Sequence, residues 1–149
     1  MAAYARVAVT RTALGFTRAA NKVTLTAIAS FPAMSAGAGG TATFLGIGTS
    51  VSGAGQLLFF GALSPTIAVT IGVTPKLDTT TSVTQAVDGM TDAAAGAFLL
   101  LLFNNVAWTG VGDIGGLLPS ASAGNFFLSL HTASPGEAGN QSTSEIAYT

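Results

Sequence analysis

Apolar and polar residues alternate with period two through most of the first 88 positions, the pattern of half-buried strands. In 4–12, Val7 and Val9 fall on one side and Arg6, Ala8 and Thr10 on the other. Val23, Leu25 and Ala27 alternate with Lys22, Thr24 and Thr26. Ile67, Val69, Ile71 and Val73 alternate with Thr66, Ala68, Thr70 and Gly72. Further strands are predicted over 41–48, 56–62, 82–87 and 125–132. The runs SAGAGG (35–40), TSVSGAG (49–55) and Ser64-Pro65 read as turns between them. The period changes to 3.6 at residue 91. Thr91 suits a helix N-cap, Asp92 suits the first turn, and Phe98, Leu102 and Val106 recur at helical spacing. A helix is therefore predicted within 91–107, apolar on nearly every side and destined for burial. Residues 109–125 form a Gly/Ser/Pro-rich connection and 133–144 a polar loop. Seven or eight short strands and one helix, without strand–helix alternation, predict an all-β fold. The expectation is a single domain over 1–149, an antiparallel β-sandwich or jelly roll with one buried α-helix.

Composition sharpens this picture. Of the 149 residues only 7% are charged, 49% are hydrophobic, and the mean hydropathy is +0.60. An average soluble domain carries about 25% charged residues. Intrinsic disorder is excluded by that balance. A net charge of −1 argues against a nucleic-acid partner, which needs a basic face to displace counterions. The longest apolar run, 97–103, is far short of the roughly 20 residues that span a bilayer, so no membrane partner is expected. The start, MAAYARVAVTRT, lacks the pattern of a signal peptide. Small neutral surfaces rich in Gly, Ala, Ser and Thr suit permanent packing against neighbours, so a homo-oligomer is expected.

Candidate chemistry is sparse. There is no cysteine, which removes disulfides and thiolate chemistry. His131 is the sole histidine, and Ser129, two positions earlier, shares its strand face. No nucleophile-elbow motif surrounds Ser129, and an orienting carboxylate would have to come from Glu137, Glu145 or a distant aspartate. The plain reading is a strand histidine hydrogen-bonded to the following loop. The acids Asp78, Asp88, Asp92, Asp113, Glu137 and Glu145 make no calcium-loop or paired-carboxylate pattern. Gly46-Ile47-Gly48 lacks the rest of a dinucleotide motif and reads as a strand or turn feature. No catalytic residue, metal ligand or cofactor site is expected. Arg6, Arg11, Arg18 and Lys22 are four of the five basic residues, and no acid precedes Asp78. They are the candidate docking residues for an acidic partner surface, against the simpler alternative of a solvated sheet edge.

The stretch 127–149, FLSLHTASPGEAGNQSTSEIAYT, resembles a signature of small tailed-bacteriophage virion proteins. In them a segment of the type SLHTADPGE…G.QTTNE..YTGYARVAV.R runs continuously. Here its first half ends the sequence, while its second half, Tyr4-Ala5-Arg6-Val7-Ala8-Val9 and then Arg11, begins it. Phe44–Thr49, Ser52–Leu58, Gly61–Leu63 and Gly72–Pro75 also look familial, as does the helical FLLLLFNNVAW of 98–108. Beginning at Met90 restores the familial order, with 90–149 as the N-terminal part and 1–89 as the C-terminal part. The resemblance thus implies a circular permutation, engineered or natural, with Thr149 once joined to Tyr4 through about one residue. Two or three extended links allow those Cα atoms at most roughly 7–11 Å.

The resemblance implies a non-enzymatic structural role in the virion, after assembly in the cytoplasm of a bacterial host. A capsid decoration or cement protein is the leading expectation. Its partners would be further copies of itself and phage capsid or tail proteins. A minor tail or fibre-associated protein is the alternative within the class. A carbohydrate-binding β-sandwich module, using Trp108, Tyr4 and Tyr148, is the alternative outside it.

Overall fold

The β-branched and small residues at alternating positions form strands largely where the pattern places them. This is seen in a computed structural model that describes residues 3–86, 88–113 and 115–148. The described fold is mostly β, with three antiparallel sheets and one helix. The chain divides into two compact units, each assembled from separated stretches. One comprises 3–8, 29–76 and 126–148; the other comprises 9–28 and 77–125.

The four-stranded sheet has the order β1-β9-β5-β6, built from β1 (Val7–Thr10), β9 (Asn125–His131), β5 (Gly40–Gly48) and β6 (Leu57–Val69). Strand β5 is its centre, pairing antiparallel with β9 (Phe44 opposite His131, Gly46 opposite Ser129) and with β6 (Phe44 opposite Ala62, Ala42 opposite Ile67). Between these last two pairs β6 carries extra residues, so Ser64-Pro65, a turn by its sequence, lies in a bulge within one long strand. Proline gives no N–H to a ladder, and a bulge on an edge strand accommodates that. The alternation of 66–73 is a strand only as far as Val69. Beyond it Val73 N–H donates to Thr70 O (3.0 Å), the chain turns, and Ile71 stands 65% exposed. Short strands β4 (Ala29–Ser30) and β7 (Lys76–Leu77) form a two-stranded ribbon. Phe31, Met34, Ala42, Ile47, Leu128 and Leu130 are among the buried apolar residues of this unit.

In the other unit β2 (Phe16–Ala19), β3 (Lys22–Leu25) and β8 (Ser82–Thr84) form an antiparallel sheet in the order β2-β3-β8. The β2–β3 hairpin is absent from the sequence expectations. Its turn places Ala20 at φ 51, where glycine or asparagine ordinarily signals the reversal. Helix α1 (Asp92–Asn104) lies within the predicted span. The Thr91 side chain accepts a hydrogen bond from Ala94 N–H (3.3 Å), and Asn105 ends the helix in the left-handed region at φ 53. Ala95, Gly96, Leu99 and Phe103 form its buried face, Phe103 meeting Phe16 edge to face at 4.9 Å. At Gly96 a Cβ would lie 2.8 Å from Arg18 Nη1 and 3.1 Å from Ala20 O, so glycine lets the helix approach the hairpin. Val87, at the end of the predicted strand 82–87, lies outside the described residues.

Candidate functional site

The densest group of interacting polar side chains is a buried seam across β5, β9 and the segment after β9. Its floor is bare because Gly46 and Gly48 sit on one side of β5. A Cβ at Gly46 would lie 2.5 Å from His131 Nε2 and 2.6 Å from Ser129 Oγ, and one at Gly48 would lie 2.1 Å from Gln141 Cδ. The two glycines that read as a strand feature therefore make room for polar side chains. Ser129, His131 and Gln141 are all 0% exposed.

Ser129 Oγ and His131 Nε2 are 2.9 Å apart, and His131 Nδ1 lies 2.7 Å from Thr143 O. A backbone carbonyl can only accept, so Nδ1 carries the proton and donates to it. Nε2 is then the acceptor for the Ser129 hydroxyl. This is the hydrogen bond to the following loop expected for a strand histidine. The serine and histidine meet at the distance of a nucleophile–base pair, yet the orienting group is a carbonyl and both side chains are sealed from solvent.

Gln141 closes the next stretch. Its Oε1 accepts from Ser50 N–H (2.8 Å), its Nε2 donates to Phe127 O (3.3 Å), and its backbone N–H donates to Gly55 O (3.0 Å). Arg6 completes the arrangement. Its Nε and Nη2 each donate to one Glu145 carboxylate oxygen at 2.7 Å, a bidentate pair, while Nη1 reaches Ser50 O (2.9 Å) and Nη2 reaches Gly53 O (2.8 Å). The two side chains are 2% and 15% exposed. The loop 49–55 is thus held by one arginine and one glutamine from opposite ends of the chain.

The Tyr4 hydroxyl accepts from Leu130 N–H (2.9 Å), and the Tyr4 ring packs against Phe31 and Tyr148. Burial pushes its hydroxyl pKa far above the usual tyrosine range. Tyr4 N–H donates to Tyr148 O at 3.0 Å, so 4 and 148 are side by side; Thr149 itself lies outside the described residues.

The four candidate docking residues are placed differently from one another. Arg6, grouped with exposed bases by its sequence position, is an interior ion-pair partner, because burial is compensated by Glu145 and two carbonyls. Arg11 donates to Leu101 O (3.0 Å), Leu102 O and Ala123 O, supplying positive charge at the C-terminal end of α1. Burial lowers its pKa. Arg18 and Lys22 are exposed, on β2 and β3 of the hairpin. The sequence pattern does not single out Gln141 or the Arg6–Glu145 pairing. Nothing local marks a glutamine or an ion pair 139 positions apart as interior.

Among the described residues no group of three or more His, Cys, Asp or Glu could hold a metal ion, and no helix is long and apolar enough to cross a membrane. No protein family, curated protein or solved structure matches the chain.

Burial of His131 lowers its pKa from 6.5, outweighing the Thr143 carbonyl and the Glu145 charge, which raise it; Arg6 adds to the lowering. The unfolded chain therefore binds a proton that the folded chain resists. Stability is unaffected above the unfolded value and falls as pH drops below 6.5, by at most about 1.4 kcal/mol per pH unit. Urea unfolding of the protein and of His131→Gln between pH 7.5 and 5 is expected to show the extra slope in the parent alone. Equal slopes would show that His131 does not carry it.

Proposed function

We propose that the protein is a non-enzymatic structural protein of a tailed-bacteriophage virion, which decorates and cements a capsid lattice and associates with copies of itself. The observation that carries this reading is the distribution of charge. No charged residue occurs from Val23 to Pro75, a stretch that includes both longest strands, while Arg6 and Arg11 are engaged inside the fold. The surface contributed by 23–75 is therefore uncharged and suited to broad, permanent contact, while the exposed charges, Arg18, Lys22, Lys76, Asp78, Asp88, Asp92, Asp113 and Glu137, lie outside that stretch. The signature residues 127–149 and 4–11 support the family assignment, and the three antiparallel sheets are compatible with a sandwich. The rotated order is part of the same reading, supported by the Tyr4–Tyr148 backbone hydrogen bond.

The carbohydrate-module alternative draws less support, because Tyr148 is buried and Tyr4 packs against it, so the two make no open aromatic platform. A tail or fibre-associated position shares the features above and separates from capsid decoration by experiment. Purified protein is mixed with emptied heads of the phage that encodes it and spun through a sucrose gradient. Saturable co-sedimentation with heads is the expected result. Binding to isolated tails, or to neither, overturns the decoration role.

A further inference from the structure

The connection from β8 to α1 holds the one aspartate of this chain that is followed by glycine, Asp88-Gly89. Both residues are exposed, in a turn just ahead of the Thr91 cap. Gly89 sits in the left-handed region at φ 79, and a Cβ built on it meets nothing within 4 Å. The Asp88 carboxylate has no hydrogen-bond or ion-pair partner among the described residues. The other aspartates are held or hindered. Asp78 accepts from the Thr80 N–H (2.9 Å) and the Thr80 hydroxyl (2.5 Å), and a threonine follows it. Asp113 accepts from Gly115 N–H (3.3 Å), and an isoleucine follows it. Asp92 is followed by Ala93 within α1, where the helix fixes the backbone.

We propose that Asp88-Gly89 is a site of spontaneous main-chain isomerisation, at which Asp88 passes through a cyclic succinimide to isoaspartate. The Gly89 nitrogen attacks the carboxyl carbon of the Asp88 side chain and a five-membered ring closes. One water leaves, made from a carboxyl oxygen with its proton and the Gly89 amide proton. A water then adds to one of the two ring carbonyls. Addition at the side-chain carbonyl restores aspartate. Addition at the main-chain carbonyl breaks its bond to the Gly89 nitrogen, so the chain afterwards runs through the side-chain carbons. One water is lost and one is gained, so no oxidant, reductant or cofactor takes part and the mass is unchanged. Glycine favours the attack because it has no Cβ to crowd the nitrogen and the least restricted backbone. The open surroundings leave room for the ring, and the Asp88 carboxyl gives up no hydrogen bond to reach it. The isomer lengthens the main chain between β8 and α1 by one carbon and keeps the negative charge on a carboxylate that branches from it.

The test holds the folded protein at neutral pH and body temperature for several weeks, in ordinary water and in water enriched in heavy oxygen. After digestion, isomeric peptides are separated by chromatography and isoaspartate is located by electron-transfer fragmentation. Asp88 is expected to isomerise about tenfold faster than Asp78, Asp92 or Asp113, gaining one heavy oxygen in the enriched water. Gly89→Asn adds a side chain while tolerating the left-handed backbone, and is expected to slow the reaction about tenfold. The same incubation in urea gives the rate of the unfolded chain. Asp88 is expected to react nearly as fast folded as unfolded, whereas the other three aspartates are slower in the folded protein. Equal isoaspartate at all four aspartates overturns the proposal, as does a Gly89→Asn rate equal to that of the parent. A folded Asp88 rate more than about tenfold below its rate in urea also overturns it, because the turn would then hold the carboxyl away from the Gly89 nitrogen.

Discussion

Arg6→Ala is expected to destabilise the protein by about 3–5 kcal/mol, the usual cost of removing one member of a buried ion pair. That is a large share of the roughly 5–15 kcal/mol that holds a domain folded. The alanine leaves the Glu145 carboxylate, only 15% exposed, without its bidentate partner. It also strips donors from Ser50 O and Gly53 O. Most of the cost is thus the desolvation of groups left behind, and a specific consequence follows. Removing both charges, as in Arg6→Met with Glu145→Leu, is expected to cost clearly less than Arg6→Ala alone, because no carboxylate is then stranded. Glu145→Leu alone strands the guanidinium and is expected to resemble Arg6→Ala. Urea denaturation followed by far-ultraviolet circular dichroism measures all of these, and adding Arg6→Met alone closes a double-mutant cycle with the parent, Glu145→Leu and the double variant. An Arg6→Ala cost under about 1 kcal/mol would mean that the pair is as weak as a surface bridge.

Phe103→Ala is expected to cost a similar amount, about 3–5 kcal/mol, through a different mechanism. Phe103 is 0% exposed and meets Phe16 edge to face, so truncation removes dispersion contacts on every side and opens a cavity. Leu99 and Ala95 sit beside it on the same helix face, both fully buried, and a close-packed neighbourhood collapses only partly into such a space. The damage is expected to show as faster hydrogen exchange in α1, β2 and β3. Phe103→Leu, which keeps most of the volume, is expected to fall well below the alanine. If Phe103→Ala unfolds within about 1 kcal/mol of the parent, the helix is not anchored by this face.

Helix α1 shows how much a sequence settles when the determinants are local. Thr91 sits within a turn of the Ala94 N–H that it satisfies, so the start follows from neighbouring residues alone, whereas the helix ends at Asn104, short of 107, where the Asn105 side chain pairs with Ser120 fifteen positions on. Strands β3, β5 and β9 are legible for the same reason: side chains on a strand alternate faces, and Val, Ile, Leu and Thr keep that period in the sequence. The β2–β3 hairpin was hidden because Ala20 holds a conformation that alanine does not advertise. The merging of 56–62 and 66–69 into one strand was hidden because a bulge, unlike a turn, depends on the facing strand β5.

The low charge, the lack of cysteine and the type of the strongest elements were fixed by the sequence on its own, since each depends on residues near one another or on simple counts. The fate of individual polar residues was not. Arg6 lies on the polar side of its strand pattern and became interior only because the fold brings Glu145, Ser50 and Gly53 around its guanidinium. Gly46 and Gly48 meant little until β9 and Gln141 lay over them. Whether a charge or a glutamine is buried turns on the partners that compensate its desolvation, and those partners arrive from 44 to 139 positions away for Arg6 and from 14 to 91 for the Gln141 side chain. No local pattern encodes them, so the tertiary structure alone decided where this protein keeps its polar seam.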